Sequence, residues 1–394
     1  MKAIRNVLWV VGFFAIPSFA AALCPFCESE KGPTLVLQIE EAEIVLFGHF
    51  ENPRAAKGVG LEEYETDFII EDVLKTHPMI KGKDRITVPR QILDSKAKFV
   101  IFADVYKGNI NAYKGTQLVN GGHMLKYVEG VLKMKDKTQP ERLRFAFDFL
   151  NSPESEVALD AYREYARADY KDYKDMAKSL PADTLAGWLK DPKTPQYRYG
   201  LYASLLGHCG TSKHATMLLD MINDAEKQKA SGLHGLMAAY AMLEPQKGWT
   251  LLKDLVKDKD KPFLFRYQGL QTMRFMWESR PDLIAKDDKD AKDEIVKGVL
   301  GVLKVPDMAD FAVEDLAKWK RWEHCDAVLG LFGAKDFNTP IIRKSILRYA
   351  LRCPLPQATA FVKAQTARDR EWVDDTRELL ELESPVAPPT PTTK

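Results

Sequence analysis

Apolar positions change their period along the chain, and each change marks a new kind of element. Between Leu35 and about Val131 they fall in short β-branched and aromatic runs: "EIVLFGHF" (Glu43 to Phe50), "YETDFIIEDVL" (Tyr64 to Leu74), "DRITVP" (Asp84 to Pro89) and "KFVIFADVY" (Lys98 to Tyr106). Turn-rich links such as "ENPRAAKGVG" and "HPMIKGK" separate them, so the pattern predicts strands joined by loops. The run at Tyr64 alternates and then becomes continuously apolar, as a strand does when it bends across a small barrel. From His123 to Met134 the period is helical, with Leu125, Val128 and Leu132 on one face. About five strands and one helix predict a small β-barrel domain over residues 23–137.

Beyond Pro140 the helical period takes over. In "ESEVALDAYREYARA", Val157, Ala161 and Tyr165 stand four apart with Ala158, Tyr162 and Ala166 beside them, and Asn151 and Pro153 supply the helix start. Helical pairs then recur, their first helices beginning near Tyr197, Gly232, Leu264, Ala309 and Pro340, at intervals of about 35, 32, 45 and 31 residues. In "YRYGLYASLLGHCGTSKHATMLLDMI" and "IIRKSILRYALRCPLPQATAFV" the aromatic and leucine positions repeat, a cysteine closes the first helix, and Ala215 or Ala358 opens the second. The acidic and basic run "AKDDKDAKDE" (Ala285 to Glu294) reads as a solvated loop entering a helix.

Two resemblances follow. Over residues 24–134 a cysteine-bearing N-terminus, "EAEIVLFGHF", a long strand ending "IIEDVLKTHPMIKG", and "KFVIFADV" resemble, in that order, the netrin-like or tissue-inhibitor-of-metalloproteinase-like module, an OB-type barrel. The spacing departs from that family in being Cys-x-x-Cys instead of Cys-x-Cys, and further paired cysteines are missing. Residues 138–383 resemble HEAT-like helical repeats, which implies a continuous core and an extended concave surface. The expected fold is therefore multi-domain α and β, a small OB-like β-barrel followed by a HEAT-like α-solenoid.

The chain ends add a compartment. Lys2 and Arg5, the apolar stretch Val7 to Phe19 and the small residues Ala20 to Ala22 read as a signal peptide over residues 1–22. That stretch, about 13 residues interrupted by Pro17, falls short of the ~20 needed to span a bilayer, and no second long apolar run follows. The mature chain is expected to be exported, periplasmic or extracellular, without stable membrane insertion and where disulfides persist. The Pro/Thr-rich "SPVAPPTPTTK" (residues 384–394) reads as a flexible tail.

Charge narrows the partners. Lys plus Arg (57) nearly cancels Asp plus Glu (56), and residues 28–137 hold 16 basic against 17 acidic residues, so no nucleic-acid groove is expected in the barrel.

Cys24 and Cys27 in "AALCPFCESEKG" form the one paired motif among five cysteines. A haem attachment needs histidine where Glu28 stands, and a zinc ribbon needs a second pair where Cys209, Cys325 and Cys353 are single. A disulfide remains, either between Cys24 and Cys27 or from one of them to a neighbouring strand; a thiol-disulfide oxidoreductase or enzyme accessory using this pair is the alternative function. A second alternative is a secreted protease inhibitor, which would need a mature chain beginning at Cys24.

No phosphate loop, nucleophile elbow, His-Glu-x-x-His or dinucleotide fingerprint occurs, so no cofactor or metal is implied and a non-enzymatic role is expected. His208/Cys209 and His324/Cys325 are adjacent pairs pointing in different directions, and His208 and His214 flank a helix break. Cationic and aromatic residues concentrate in "FRYQGLQTMRFMWESR" and "KWKRWEHC". Arg266, Arg274, Trp277, Trp319, Arg321 and Trp322 are residue types that dominate interface hot spots. Exposed on a concave face, they form a protein- or glycan-binding strip; otherwise the aromatics fill the inter-repeat core and the arginines pair with acidic neighbours. The reading that results is an exported adaptor or scaffold that binds an envelope or secreted protein through its helical repeats.

Overall fold

The computed structural model describes residues 24–27, 33–56, 64–93, 97–118, 122–224 and 232–383. The expected signal peptide (1–22) and the tail (384–394) lie outside the described residues. The chain runs α1 (Leu35–Glu41), β1 (Ile44–Ala55), β2 (Tyr64–Lys75), β3 (Arg85–Val88), β4 (Lys98–Tyr106), β5 (Asn109–Gln117) and α2 (His123–Lys133). Helices then follow without further strands among the described residues: α3 (Gln139–Phe147), α4 (Ser155–Ala166), α5 (Tyr170–Tyr173), α6 (Ala182–Lys190), α7 (Tyr199–Cys209), α8 (Ser212–Asn223), α9 (Leu233–Leu243) and α10 (Pro245–Leu255). The remainder are α11 (Phe263–Ser279), α12 (Asp288–Val302), α13 (Ala309–Lys318), α14 (Cys325–Leu329), α15 (Pro340–Arg352), α16 (Pro356–Arg368) and α17 (Arg370–Glu383).

The strands form an open antiparallel sheet in the order β3-β2-β1-β4-β5, with Phe50 opposite Phe68 and Leu46 opposite Ile101. Its edges, β3 and β5, approach each other without sharing a hydrogen-bonded ladder, so the expected barrel is not closed by backbone pairing. Side chains alternate across the central strands. Ile44 and Leu46 of β1 and Ile101 and Ala103 of β4 point into a cluster with Phe50, Phe68 and Ile86, while Val45, Val100 and Phe102 point the other way, onto the helices. The β4–β5 hairpin turns through Lys107 and Gly108, both at positive φ (49° and 75°), the geometry of a tight two-residue turn.

The apolar run from Leu35 reads as strand but forms α1. Thr34 Oγ1 accepts the Leu37 amide (3.1 Å), and the buried Asp160 of α4 accepts the amides of Leu35 (2.5 Å) and Val36 (3.1 Å), so a distant carboxylate satisfies the helix N-terminus. Tyr127 of α2 donates its hydroxyl to the same carboxylate (3.0 Å). One hydrophobic cluster consequently runs from the sheet's helix-facing side through α1 and α2 into the later helices.

The helical pairs α7/α8, α9/α10, α11/α12, α13/α14 and α15/α16 begin within two residues of the positions read from the sequence. The tightest junction is α7 against α9. Gly200 and Gly207 face Gly235 and Ala239, and a methyl on Gly235 would collide with the Gly200 backbone.

Candidate functional site

Three places carry the chemistry that the sequence singles out or the fold creates. The first is the N-terminal motif. Cys24 and Cys27 are bonded to each other, their Cα atoms 5.4 Å apart. The sequence groups this motif with the sheet unit, but its contacts are helical. The Cys24 amide donates to Ala166 O at the end of α4 (3.4 Å), and His234 Nε2 of α9 donates to Pro25 O (3.1 Å). Phe26, 1% exposed, enters a socket where its ring meets Phe275 edge-on (4.5 Å between centroids) and stacks on His234 (5.6 Å). A methyl on Gly200 would strike the Phe26 carbonyl oxygen, so the glycine makes room for the loop. Cys24 is 3% exposed with its sulfur 3.8 Å from Tyr173 Oη, which leaves Cys27 as the more accessible sulfur.

The second place is the Arg/Trp strip, and it lies at helix junctions. Arg266 is buried and grips Asp307 with both terminal nitrogens while donating to Lys261 O (3.1 Å). One helical stretch on, Arg274 Nε reaches both oxygens of Asp315 (2.8 and 2.9 Å), and its guanidinium sits 5.8 Å from the Tyr267 ring. Burial pushes the Asp315 carboxyl up to about 6, against the pull of Arg274. Trp277 and Trp319 stack at 4.2 Å between centroids, with Lys292 over Trp277 at 5.5 Å. Arg321 pairs with Asp293 (2.5 Å), and Trp322 packs edge-on against Tyr349 of α15 (5.1 Å). Arg266 is buried and the other five are half-buried. The structure thus brings Arg266, Arg274, Trp277 and Trp319 together as a seam between α11 and α13, and carries Arg321 and Trp322 to the next junction. The half-buried Arg274 and Arg321 and the partly exposed ring edges, continued by the exposed Phe263 beside Tyr267 and Phe311, reach the surface.

The third place was not read from the sequence: open grooves between helices. A groove of about 730 Å³ opens between α8, α10 and the start of α11, floored by Tyr240, Leu251, Leu255 and Phe265 and rimmed by Lys247 and Asp254. A second, of about 400 Å³, lies between α6 and the other side of α8, lined by Lys190, Lys213, Met217 and Asp220. The alternation of apolar and charged positions along α8 and α10 was the available signal, but which helices flank each other is a tertiary fact.

A polar cleft of about 430 Å³ is lined by Tyr170, Lys174, Lys178, His208, Arg280 and Asp282. Burial, reinforced by Arg280 and then Lys178, pulls His208 down to about 4, so the imidazole is neutral near pH 7. The adjacent Cys209 does not serve as its nucleophile. Its thiol turns back to Leu205 O (3.5 Å), and burial lifts it to about 11. His214 caps α8 by accepting the Thr211 amide (3.0 Å), so it is not paired with His208. Among the described residues no cluster of three His, Cys, Asp or Glu side chains is arranged to hold a metal ion, and no helix is long and apolar enough to cross a membrane.

The class that these features define is a mixed protein, an open antiparallel sheet followed by a long helical region. Comparison with protein-family models, with curated proteins and with solved structures finds no match to this chain.

Proposed function

We propose that the protein is an exported, non-catalytic adaptor that binds a protein partner through the surface of its helical repeats. The observation that carries this reading is the groove between α8, α10 and α11. It joins a wide apolar floor to a rim bearing both charge signs, the chemistry that receives a partner segment with apolar anchors and flanking charges. The neighbouring groove along α8 extends the same surface.

In this reading the sheet unit is an OB-type barrel and the helical pairs form a HEAT-like solenoid. The strand order, with β3 and β5 approaching one another, supports the first. The succession of helical pairs supports the second. The N-terminal charge and apolar pattern and the Cys24–Cys27 bond support export. The Arg/Trp seam serves mainly to hold α11 to α13, so the groove takes its place as the principal binding surface. An oxidoreductase role is less well supported, because Cys24 is buried behind Phe26 and Tyr173.

The test is crosslinked capture from the native envelope, using the mature chain and its Leu251→Glu variant, which puts a charge on the groove floor. The reading predicts one partner recovered stoichiometrically by the wild type and about tenfold less by the variant at unchanged melting temperature. Equal recovery by both, or no specific recovery by the wild type, would overturn it.

A further inference from the structure

Cys325 and Cys353 are apart in sequence but meet in the fold. Cys325 opens α14, and Cys353 caps the C-terminus of α15, its amide donating to Tyr349 O (2.9 Å). Both are free and buried, 1% and 6% exposed, in the same cluster, and Cys353 is near enough that, after burial itself, it is the main neighbour acting on the Cys325 thiol. Their flanks are pinned together independently. Tyr349, four residues before Cys353, donates its hydroxyl to the carbonyl of Arg321, four residues before Cys325 (3.1 Å), and its ring packs on Trp322. The helices α14 and α15 pack directly against each other.

Two thiols held side by side on fixed backbone differ from a disulfide only by two protons and two electrons. We propose that Cys325 and Cys353 are a second disulfide site, closed by exchange with a disulfide donor. One thiolate attacks the donor disulfide, forming a mixed disulfide and releasing one donor thiol; the other attacks the cysteine sulfur of that mixed disulfide, forming the Cys325–Cys353 bond and releasing the second donor thiol, so the reduced donor takes up the two protons and two electrons. Burial, with the neighbouring Cys353, lifts the Cys325 thiol to about 12 in the folded chain, so little thiolate is present there. Exchange therefore belongs to folding, before the α14–α15 junction closes. This leaves Cys209 as the odd thiol among five. In the cell the site depends on the proposed export, since a reducing compartment would keep the pair open.

The full chain is refolded from denaturant in a mixture of oxidised and reduced glutathione, unfolded again, alkylated and mapped by mass spectrometry. The expected result is a linked peptide pair carrying Cys325 and Cys353, alkylation at Cys209 alone, and a melting temperature lowered by reduction in the Cys24→Ser/Cys27→Ser background. The Cys325→Ser change in that background removes this redox-dependent shift and leaves Cys353 alkylated. Alkylation of both Cys325 and Cys353 after refolding, or linkage of either to Cys209, overturns the proposal. Fractionation of the native host separates the two readings: cytosolic retention defeats export, while the refolding result stands on the geometry alone.

Discussion

At the residue scale, Arg274 and Asp315 show how the cationic strip is held in the fold. Asp315 is buried, and Arg274 is its charged partner across the α11–α13 seam. Removing the arginine leaves a buried carboxylate unpaired, so Arg274→Ala is expected to destabilise the chain by about 3–5 kcal/mol at neutral pH, with Asp315→Asn in the same chain recovering part of the loss. Chemical denaturation measures both; a loss within about 1 kcal/mol, the range of an exposed pair, would assign the seam no structural role. The residue types were legible in the sequence, but their partners were not. Arg266 meets Asp307 and Arg274 meets Asp315 at the same offset of 41, set by how α13 lies on α11. Glu164 is a second case that only the fold exposes. Burial, with the Asp160 charge adding, raises its carboxyl to about 7. The folded state then holds a proton that the unfolded chain has released, so this group's contribution falls as pH rises from about 4.5 to 7. Glu164→Gln should match the wild type near pH 4 and exceed it by up to ~3 kcal/mol at pH 8. Denaturation midpoints across pH would show this; a gain independent of pH would contradict it.

At the scale of elements, the helical period located the paired helices closely, because their buried stripes recur with little help from distant residues. Short elements were harder. α1 depends on Asp160 for its N-terminal amides, and β5, "NINAYKGTQ", alternates half-buried and exposed positions with few strongly apolar residues. Neither carries its own signal, since tertiary partners decide them. Two glycines separate packing from propensity. Gly235 lies against Gly200, so Gly235→Ala should cost about 1–3 kcal/mol by forcing α7 and α9 apart. On α6 the exposed Gly187 has open space around it, so Gly187→Ala should add up to about 1 kcal/mol of helix stability. Thermal melts of the two variants should move in opposite directions, and a common direction would count against the α7–α9 junction.

At the scale of the molecule, the sheet and the helices are joined through one core, and the N-terminal loop is fastened to the helices. The sequence shows that Cys24 and Cys27 are close in the chain, but not that Phe26 fills a socket built by α7, α9 and α11. Phe26→Ala should therefore cost about 3–5 kcal/mol even with the disulfide intact. Hydrogen exchange would then rise in α9 and α11, and unchanged protection there would contradict the socket. The groove likewise exists only once α8, α10 and α11 are assembled, so helical periodicity could not locate it. The most direct test of the adaptor reading is photo-crosslinking in the native host, with a photoreactive residue at Thr250 in the groove or at the exposed Arg90, which follows β3 and is not part of the groove lining. The account predicts a single defined adduct from Thr250 that Leu251→Glu abolishes, and none from Arg90. The same adduct from both positions, or none from Thr250, would contradict it.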